Sequence, residues 1–138
     1  MSYRYLDHAT DAFIEVEAAN LEEAFEVAAR SVVETILDVN TVEEKTARKI
    51  TVNGKDLNYL LYNWLEEIII LTITEGFAAR SIKVTLQKNS EYKILADAKG
   101  EEIDIKKHRF KVEIKSPTFH LMEIKQNSAV LMRYLLDL

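Results

Sequence analysis

Apolar and polar residues alternate along several short segments of the chain, and this pattern predicts β-strands. In residues 12–18 the side chains of Ile14 and Val16 fall on one face, and those of Glu15 and Glu17 fall on the other. A repeat of two residues is typical of a half-buried strand. By the same pattern, strands are predicted at 3–6, 12–18, 48–52, 82–86, 92–96, 109–115, 119–125 and 130–136.

Two other segments follow the helical repeat. Asn20 precedes Leu21-Glu22-Glu23 at the spacing of an N-terminal capping box, and an apolar stripe continues to about Leu37. A second helix is predicted from Asp56, with Gly76 placed to cap its end. Clustered strands with two amphipathic helices predict an α+β fold, in which the helices pack on a largely antiparallel or mixed β-sheet.

Length and composition limit the class of protein. The chain has 138 residues, 48% of them hydrophobic and 30% charged, so we expect a single domain over residues 1–138 with a true core. The longest apolar run, residues 68–71, is far too short to cross a membrane. The absence of cysteine excludes disulfides and thiolate metal sites, and we expect a cytoplasmic protein.

The charge distribution argues against a protein whose main task is binding nucleic acid. The net charge is −5, and we expect no stable direct contact with nucleic acid. Basic residues are concentrated at 106–109, followed by Lys111 and Lys115. This concentration could contact phosphate or an acidic partner, or it could be the solvated face of a strand and turn, which is the commoner case. Alternation over 109–115 places Lys115 on the polar face.

Acidic residues stand near both ends of the chain. Asp7-His8-Ala9-Thr10-Asp11 lies near the start, and Leu136-Asp137-Leu138 lies at the end. If Asp11 folds beside Asp137 and the α-carboxylate of Leu138, three carboxylates converge, and their repulsion requires a cation. Oxygen ligands favour a hard divalent cation, Ca²⁺ or Mg²⁺, over zinc.

The alternative interpretation is that these acids are ordinary solvated residues of a loop and a tail. Chain termini are commonly frayed, which favours that alternative for Asp137. The segment before it, residues 130–136, is however strongly apolar. A segment of this composition is expected to be buried, and it would hold the last two residues in place.

Motifs typical of an enzyme are missing from the sequence. It has no glycine-rich phosphate loop, no serine in an exposed elbow motif and no Cys–His pair. His8 lies between two acids, so it could serve as a general base or ligand, although such a residue is more often structural. The sequence therefore shows neither a nucleophile nor a substrate cradle, and we expect a protein that is not itself an enzyme.

Five segments, in order along the whole chain, resemble the motifs of the archease family. The opening Asp7–Asp11 motif resembles that family's D-H-T-A-D signature, with the order of Ala9 and Thr10 inverted. The others are the leucine-rich and tryptophan-containing helix 56–65, a Gly-Glu turn at 99–101, the I-K-A-x-T-Y-H segment at 114–120, and an aspartate-plus-aliphatic terminus at 136–138. Ser116-Pro117 departs from the usual small apolar pair, and Pro117 predicts a break in the strand there.

The resemblance implies a protein cofactor for the RNA ligase that joins tRNA halves during tRNA splicing. Such a cofactor promotes guanylylation of the ligase and multiple turnover. The resemblance also implies a divalent-metal site, usually of calcium, with ligands at Asp11, Asp137 and the terminal carboxylate of Leu138, and a functional lysine at Lys115. From the opening motif, Asp7 and His8 join Lys115 as candidate residues for contact with the partner.

Two other functions remain open from the residues alone. One is a small metal-dependent phosphohydrolase, in which a group such as His8 would activate water. The other is a metal-binding or chaperone-like module without catalytic activity. The sequence also leaves open whether a bound metal would act on the nucleotide phosphates or on the docking geometry.

Overall fold

The computed structural model describes residues 2–6 and 11–138, and within them the chain forms seven strands and two α-helices. Asp7 and His8 lie outside the described residues. The elements are β1 (Ser2–Leu6), β2 (Ala12–Ala18), α1 (Leu21–Ile36), β3 (Thr46–Gly54), α2 (Leu57–Ile69), β4 (Phe77–Lys88), β5 (Tyr92–Glu102), β6 (Ser116–Gln126) and β7 (Val130–Asp137). A short 3-10 turn, Val39–Thr41, follows α1, and a π-helical turn, Ile70–Thr74, continues α2.

The strands divide between two antiparallel sheets. One has the order β1-β2-β7-β6, and the other has the order β3-β5-β4. Both helices pack against the sheets and share one apolar core with them. The predicted α+β class is confirmed, with two sheets where the sequence suggested one. In the described part of the chain, no helix combines the length and apolarity needed to cross a membrane.

Both helices begin as their sequences predict. The side chain of Asn20 accepts a hydrogen bond of 2.9 Å from the amide of Glu23, and the Glu23 carboxylate accepts one of 3.2 Å from the amide of Ala19. Asp56 caps α2 in the same way by accepting from the amide of Tyr59 at 2.9 Å. These side chains satisfy amides that have no partner inside the helix, so each helix starts at a defined residue.

The core is centred on Trp64 of α2, which is fully buried. Its indole nitrogen donates a hydrogen bond of 2.8 Å to the carbonyl oxygen of Phe25 in α1. This bond satisfies the one polar atom of the side chain and joins the two helices. The tryptophan of the 56–65 motif is therefore a structural residue.

The strand predicted at 109–115 is wrong. These residues follow a turn and pair with no strand, although two of their amides bond elsewhere: Lys111 donates to the carbonyl of Ile36 at 2.7 Å, and Lys115 donates to that of Asp137 at 2.8 Å. The predicted alternation still describes the burial, because Ile114 is buried and Lys115 is exposed. The segment thus keeps the predicted alternation of burial without belonging to a sheet.

The Gly-Glu turn expected at 99–101 is also wrong, because Gly100 lies inside a strand; a second glycine, Gly54, ends one. Gly54 is the last residue of β3, and a side chain there would meet the backbone nitrogen of Leu60 at 2.4 Å. Gly100 lies in β5, where a side chain would meet the carbonyl oxygen of Ala78 at 1.8 Å. Glycine is needed at both positions for close approach of neighbouring backbone.

The break predicted at Pro117 is wrong as well. Pro117 is the second residue of β6 and lies opposite Leu136 in the β6–β7 register. Proline fits there because β6 is the outer strand of its sheet. On the side of an outer strand that has no neighbouring strand, the amide that proline lacks would have no partner in the sheet. The irregularity comes one residue later, since the pairing is interrupted between Thr118 and Glu123.

Candidate carboxylate site at the β2–β7 end

The pairing of β2 with β7 brings the two ends of the chain together. These strands are antiparallel, and their last paired residues at this end are Ala12 and Leu136. Continuing the register by one residue sets Asp11 opposite Asp137. Directly opposite residues point to the same face of a sheet, with their Cβ atoms about 4.5–5.5 Å apart. The convergence of Asp11 and Asp137 predicted from sequence is therefore supported by the register.

The apolar approach to Asp137 is buried, as the sequence predicts. Val130, Met132, Tyr134 and Leu136 all face the core. The Tyr134 hydroxyl shares a hydrogen bond with the buried hydroxyl of Ser31, and burial raises the pKa of Tyr134. Leu138 is partly buried and packs against the same core. The last strand is thus anchored up to its final residues, which orders the backbone that carries Asp137.

The chemistry of this end fits a hard cation. Two carboxylates facing each other repel unless a positive charge lies between them, and oxygen-only donors suit Ca²⁺ or Mg²⁺. Asp137 is exposed and Asp11 is partly exposed, so an ion could enter from solvent. Among residues 2–6 and 11–138, no group of three or more His, Cys, Asp or Glu side chains is placed to hold a metal. The predicted ligand set has only two such side chains, together with the α-carboxylate of Leu138.

Lys115 lies at the same end of the sheet. Its amide donates to the carbonyl of Asp137 at 2.8 Å, and the next residue, Ser116, is paired with Asp137 in the β6–β7 register. The Lys115 side chain is exposed. Three of the residues predicted from sequence, Asp11, Asp137 and Lys115, are thus brought to one edge, whereas Asp7 and His8 lie outside the described residues.

Sequence reasoning missed a row of three charged residues, Arg4, Glu15 and Arg133, which crosses β1, β2 and β7 close to this end. Glu15 is 4% exposed and accepts from Nε of Arg4 at 2.8 Å and from Nε of Arg133 at 2.7 Å. The register makes this possible, since Glu15 is paired with Arg4 on β1 and with Arg133 on β7. These hydrogen bonds, first from Arg4 and then from Arg133, hold the pKa of Glu15 below its usual value.

Alternation along β2 placed Glu15 on the same face as Glu17, which was expected to be polar. Nothing in the sequence could show that both cross-strand neighbours of Glu15 would be arginines. The row lies on the face that also carries Asp11 and Asp137, with the Phe13–Leu135 pair between them. It fixes the pairing of β1, β2 and β7, on which the carboxylate site depends.

Most of the basic concentration at 106–111 is engaged within the protein. Lys107 donates to Glu101 at 3.0 Å, Arg109 lies 3.6 Å from Asp38, and the Lys111 ammonium donates to the carbonyl oxygen of Glu34 at 2.7 Å. These contacts favour a structural role for this segment over a phosphate-binding role.

His108 is fully buried and closes this loop onto β5. Its Nδ1 accepts from the amide of Asp104 at 2.9 Å, so Nε2 carries the ring proton and donates it to Glu101 at 3.1 Å. Glu101 also accepts from the amide of Glu43 at 2.7 Å. The Glu43 amide, followed by Lys107, lowers the pKa of Glu101 to about 2.

Comparison with known proteins places the whole chain in one group. The model of the Archease protein family (MTH1598/TM1083) matches residues 3–138. A protein archease of Pyrococcus abyssi is 39% identical over 125 residues, covering 90% of this chain and 88% of the relative. A protein archease of Pyrobaculum islandicum is 39% identical over 140 residues, covering 99% and 95%. The solution structure of protein 1598 from Methanobacterium thermoautotrophicum superimposes with a TM-score of 0.81 at 30% identity, covering 99% of both chains.

Proposed function

This chain belongs to the archease family, and we propose that it activates the tRNA-splicing RNA ligase by promoting its guanylylation and multiple turnover. The observation that supports the proposal best is the meeting of Asp11, Asp137 and Lys115 at one end of the β1-β2-β7-β6 sheet. The three residues come from separate segments whose backbones meet there, and their side chains are exposed or partly exposed. None of the three is needed to fill the core.

In this proposal Asp11, Asp137 and the α-carboxylate of Leu138 hold one divalent cation, with Ca²⁺ the first choice and Mg²⁺ the second. The all-oxygen donor set supports a hard cation. When bound, the ion would supply positive charge that phosphate oxygens can approach. The residues of the chain do the rest: the anchored end of β7 fixes the position of Asp137, and the exposed Lys115 offers a second, mobile positive charge.

The chain acts as a partner of the ligase in this proposal and carries out no reaction of its own. To raise the rate of guanylylation it must bind the nucleotide-accepting state of the ligase more tightly than the other states, because a ligand that binds all states equally shifts no equilibrium. Lys115, with Asp7 and His8 as further candidates, would supply that selective contact. The site of this action would be the cytoplasm.

A turnover count tests the proposal. The RNA ligase of the same organism is incubated with RNA halves, GTP and a divalent cation, with and without this chain, and ligated product per ligase is measured. We expect several turnovers with the chain and about one without it. Asp137→Asn should lose the stimulation, whereas Asp97→Asn should keep it, because Asp97 is an exposed strand aspartate paired with Lys49 in the other sheet.

Failure of the wild-type chain to raise turnover would refute the proposal. Hydrolysis of GTP or RNA by the purified chain alone would instead support the phosphohydrolase alternative. Binding of cation without any effect on the ligase would support a metal-binding module.

A further inference from the structure

The β3-β5-β4 sheet has a basic face that points away from the core. Even-numbered residues of its strands, such as Ile50, Val84 and Ile94, are buried in the core, so the odd-numbered residues beside them point to the opposite face. This outer face, called the lysine face below, consists of Ala47, Lys49, Thr51 and Asn53 on β3, Lys93, Leu95, Asp97 and Lys99 on β5, and Ser81, Lys83, Thr85 and Gln87 on β4.

The lysine face is open to solvent. Eleven of its twelve residues are exposed, and Lys93 is half-buried. The side chains of Lys49 and Lys83 are 88% and 85% exposed. Both helices pack against the other face of this sheet, through the residues of the common core. Packing within the chain therefore does not explain which residues stand on the lysine face.

The charge of the lysine face is opposite in sign to that of the whole chain. Four lysines and one aspartate give the face a formal charge of +3, whereas the chain has 23 acids, 18 bases and a net charge of −5. The rest of the chain therefore carries −8. The solvated face of a chain with more acids than bases is expected to be neutral or acidic. Charge separated in this way produces a local potential that attracts anions and orients the molecule toward them.

Two of the four lysines have ion-pair partners. Lys49 donates to Asp97 at 2.8 Å, and the ammonium of Lys83 lies 4.0 Å from the carboxylate of Glu26 on α1. Within residues 2–6 and 11–138, no acid lies within ion-pair distance of Lys93 or Lys99. These two lie six residues apart on β5, which is roughly 20 Å along the strand. The face thus presents two unneutralised ammonium groups, well separated on one rigid strand.

The composition of the lysine face suits phosphate better than a protein surface. Protein interfaces are depleted in lysine and enriched in aromatic residues, methionine and arginine, and the face has none of these enriched types. Lysine and threonine side chains are common donors to the phosphate oxygens of nucleic acids. Thr51 and Thr85 are both paired with Leu95, in the row between Lys93 and the Lys49–Asp97–Lys83 row. Hydroxyl donors are therefore interspersed with the ammonium groups.

The lack of aromatic residues on this face favours a duplex over a single strand. Proteins that bind single-stranded nucleic acid combine a basic groove with rings on which the bases stack. Double-stranded RNA is recognised mostly by its shape and through its phosphates and 2′-hydroxyls. A lysine face without rings offers contacts to such a backbone and offers no platform on which a base could stack.

We propose that the lysine face binds the sugar–phosphate backbone of duplex RNA without preference for sequence, and that Lys93 and Lys99 make the main contacts. The choice of RNA rests on the proposed function, in which RNA is the substrate of the ligase. The face has only four lysines, so it contacts three or four phosphates at most, and the binding is weak and sensitive to salt. Weak binding of this kind agrees with the expectation, based on net charge, that the chain forms no stable contact with nucleic acid.

Fluorescence anisotropy of a labelled RNA hairpin, titrated with the full chain without ligase, tests the proposal. The logarithm of the affinity should fall with the logarithm of the salt concentration, with a slope of about −2 to −4 for three or four phosphate contacts. Lys93→Gln and Lys99→Gln should each weaken binding and reduce the magnitude of the slope by about 1.

Lys125→Gln is the matched control. It removes the same charge from an exposed lysine of the other sheet, so it should bind the hairpin like the wild type. Equal melting temperatures of the three variants show that each retains the fold.

The outcomes separate this inference from the proposed function. If the wild type does not bind the hairpin at low salt, or if Lys93→Gln and Lys99→Gln bind it like Lys125→Gln, the lysines are ordinary solvated residues and the inference is overturned. Equal affinity for a DNA hairpin of the same sequence would overturn the choice of RNA. These results leave the proposed function intact, because the measurement contains no ligase. A chain that binds the RNA hairpin as expected but does not raise ligase turnover would overturn the proposed function alone.

Discussion

The amide of Lys115 donates a hydrogen bond of 2.8 Å to the carbonyl oxygen of Asp137. A backbone bond thus joins the segment before β6 to the last residue of β7, and neither side chain takes part in it. Substitution of either side chain should leave this backbone hydrogen bond in place. Changes in function at these positions can therefore be measured separately from changes in fold.

Lys115→Ala is expected to abolish activation of the ligase with little change in melting temperature. The side chain is exposed, and exposed substitutions usually change stability by within about 0.5 kcal/mol. Lys115→Glu should be worse for activation, because it adds repulsion toward any phosphate or carboxylate that the ammonium contacts. Lys125→Ala, at an exposed lysine near the other end of β6, serves as the control. If Lys115→Ala stimulates guanylylation at the wild-type rate, Lys115 is an ordinary solvated surface residue without a role in activation.

Asp137→Asn should remove stabilisation by Ca²⁺ and should not destabilise the protein in chelator. Without metal, the substitution relieves repulsion between two facing carboxylates. With metal at 100 times its dissociation constant, the wild type should gain about 2.7 kcal/mol, and the variant should gain much less. Melting curves with and without Ca²⁺ measure both quantities. A variant that melts well below the wild type in chelator would show that Asp137 is a structural residue.

Residues appended after Leu138 should weaken binding of the cation. The extension converts the terminal carboxylate into a neutral amide and so removes one proposed ligand charge. Calorimetry of an extended chain and of the original chain, with Ca²⁺ as the titrant, compares the two affinities directly. Equal affinities would exclude the α-carboxylate as a ligand while leaving Asp11 and Asp137 as candidates.

The sequence predicted the class of fold and most strands because alternation and capping are local signals. It failed at 109–115 because a strand requires a neighbouring strand, and the amide of Lys111 bonds instead to the carbonyl at the end of α1. It failed at Gly100 because the close approach that requires glycine there comes from the distant backbone of Ala78. Glycine is typical of turns and is also required where two backbone segments approach closely, so a glycine in the sequence does not distinguish between them.

The candidate site shows the same division between local and distant information. Acids at both ends suggested a carboxylate cluster, but the register of β2 with β7 was needed to set Asp11 opposite Asp137. Glu15 reaches arginines 11 and 118 residues away, and no local pattern connects them.

Trp64→Ala is expected to cost roughly 3–5 kcal/mol in the free energy of unfolding, because it leaves a large cavity between the two helices. Trp64→Phe should cost less, since it retains most of the volume but leaves the carbonyl of Phe25 without its donor, a loss of about 1–3 kcal/mol. Urea unfolding of both variants gives these values. A cost below about 1 kcal/mol for Trp64→Ala would contradict the assignment of Trp64 to the centre of the core.

Glu101 should make the protein sensitive to acid. Its pKa in the folded state is about 2, below the value of 4.5 expected for an unperturbed glutamate, because the Glu43 amide and Lys107 favour the carboxylate. A lowered pKa in the folded state contributes stability that is present above pH 4.5 and is lost as the pH falls from 4.5 toward 2.

The variant Glu101→Gln tests this, because its side chain cannot titrate. The difference in free energy of unfolding between the wild type and this variant should be constant above about pH 5.5 and should shrink as the pH falls from 4.5 toward 2. Urea unfolding at a series of pH values measures the difference, with Glu102→Gln, an exposed neighbour, as the control for loss of one negative charge. If the difference in free energy of unfolding between the wild type and Glu101→Gln stays constant down to pH 2.5, the Glu43 amide and Lys107 do not lower the pKa of Glu101 in the folded state.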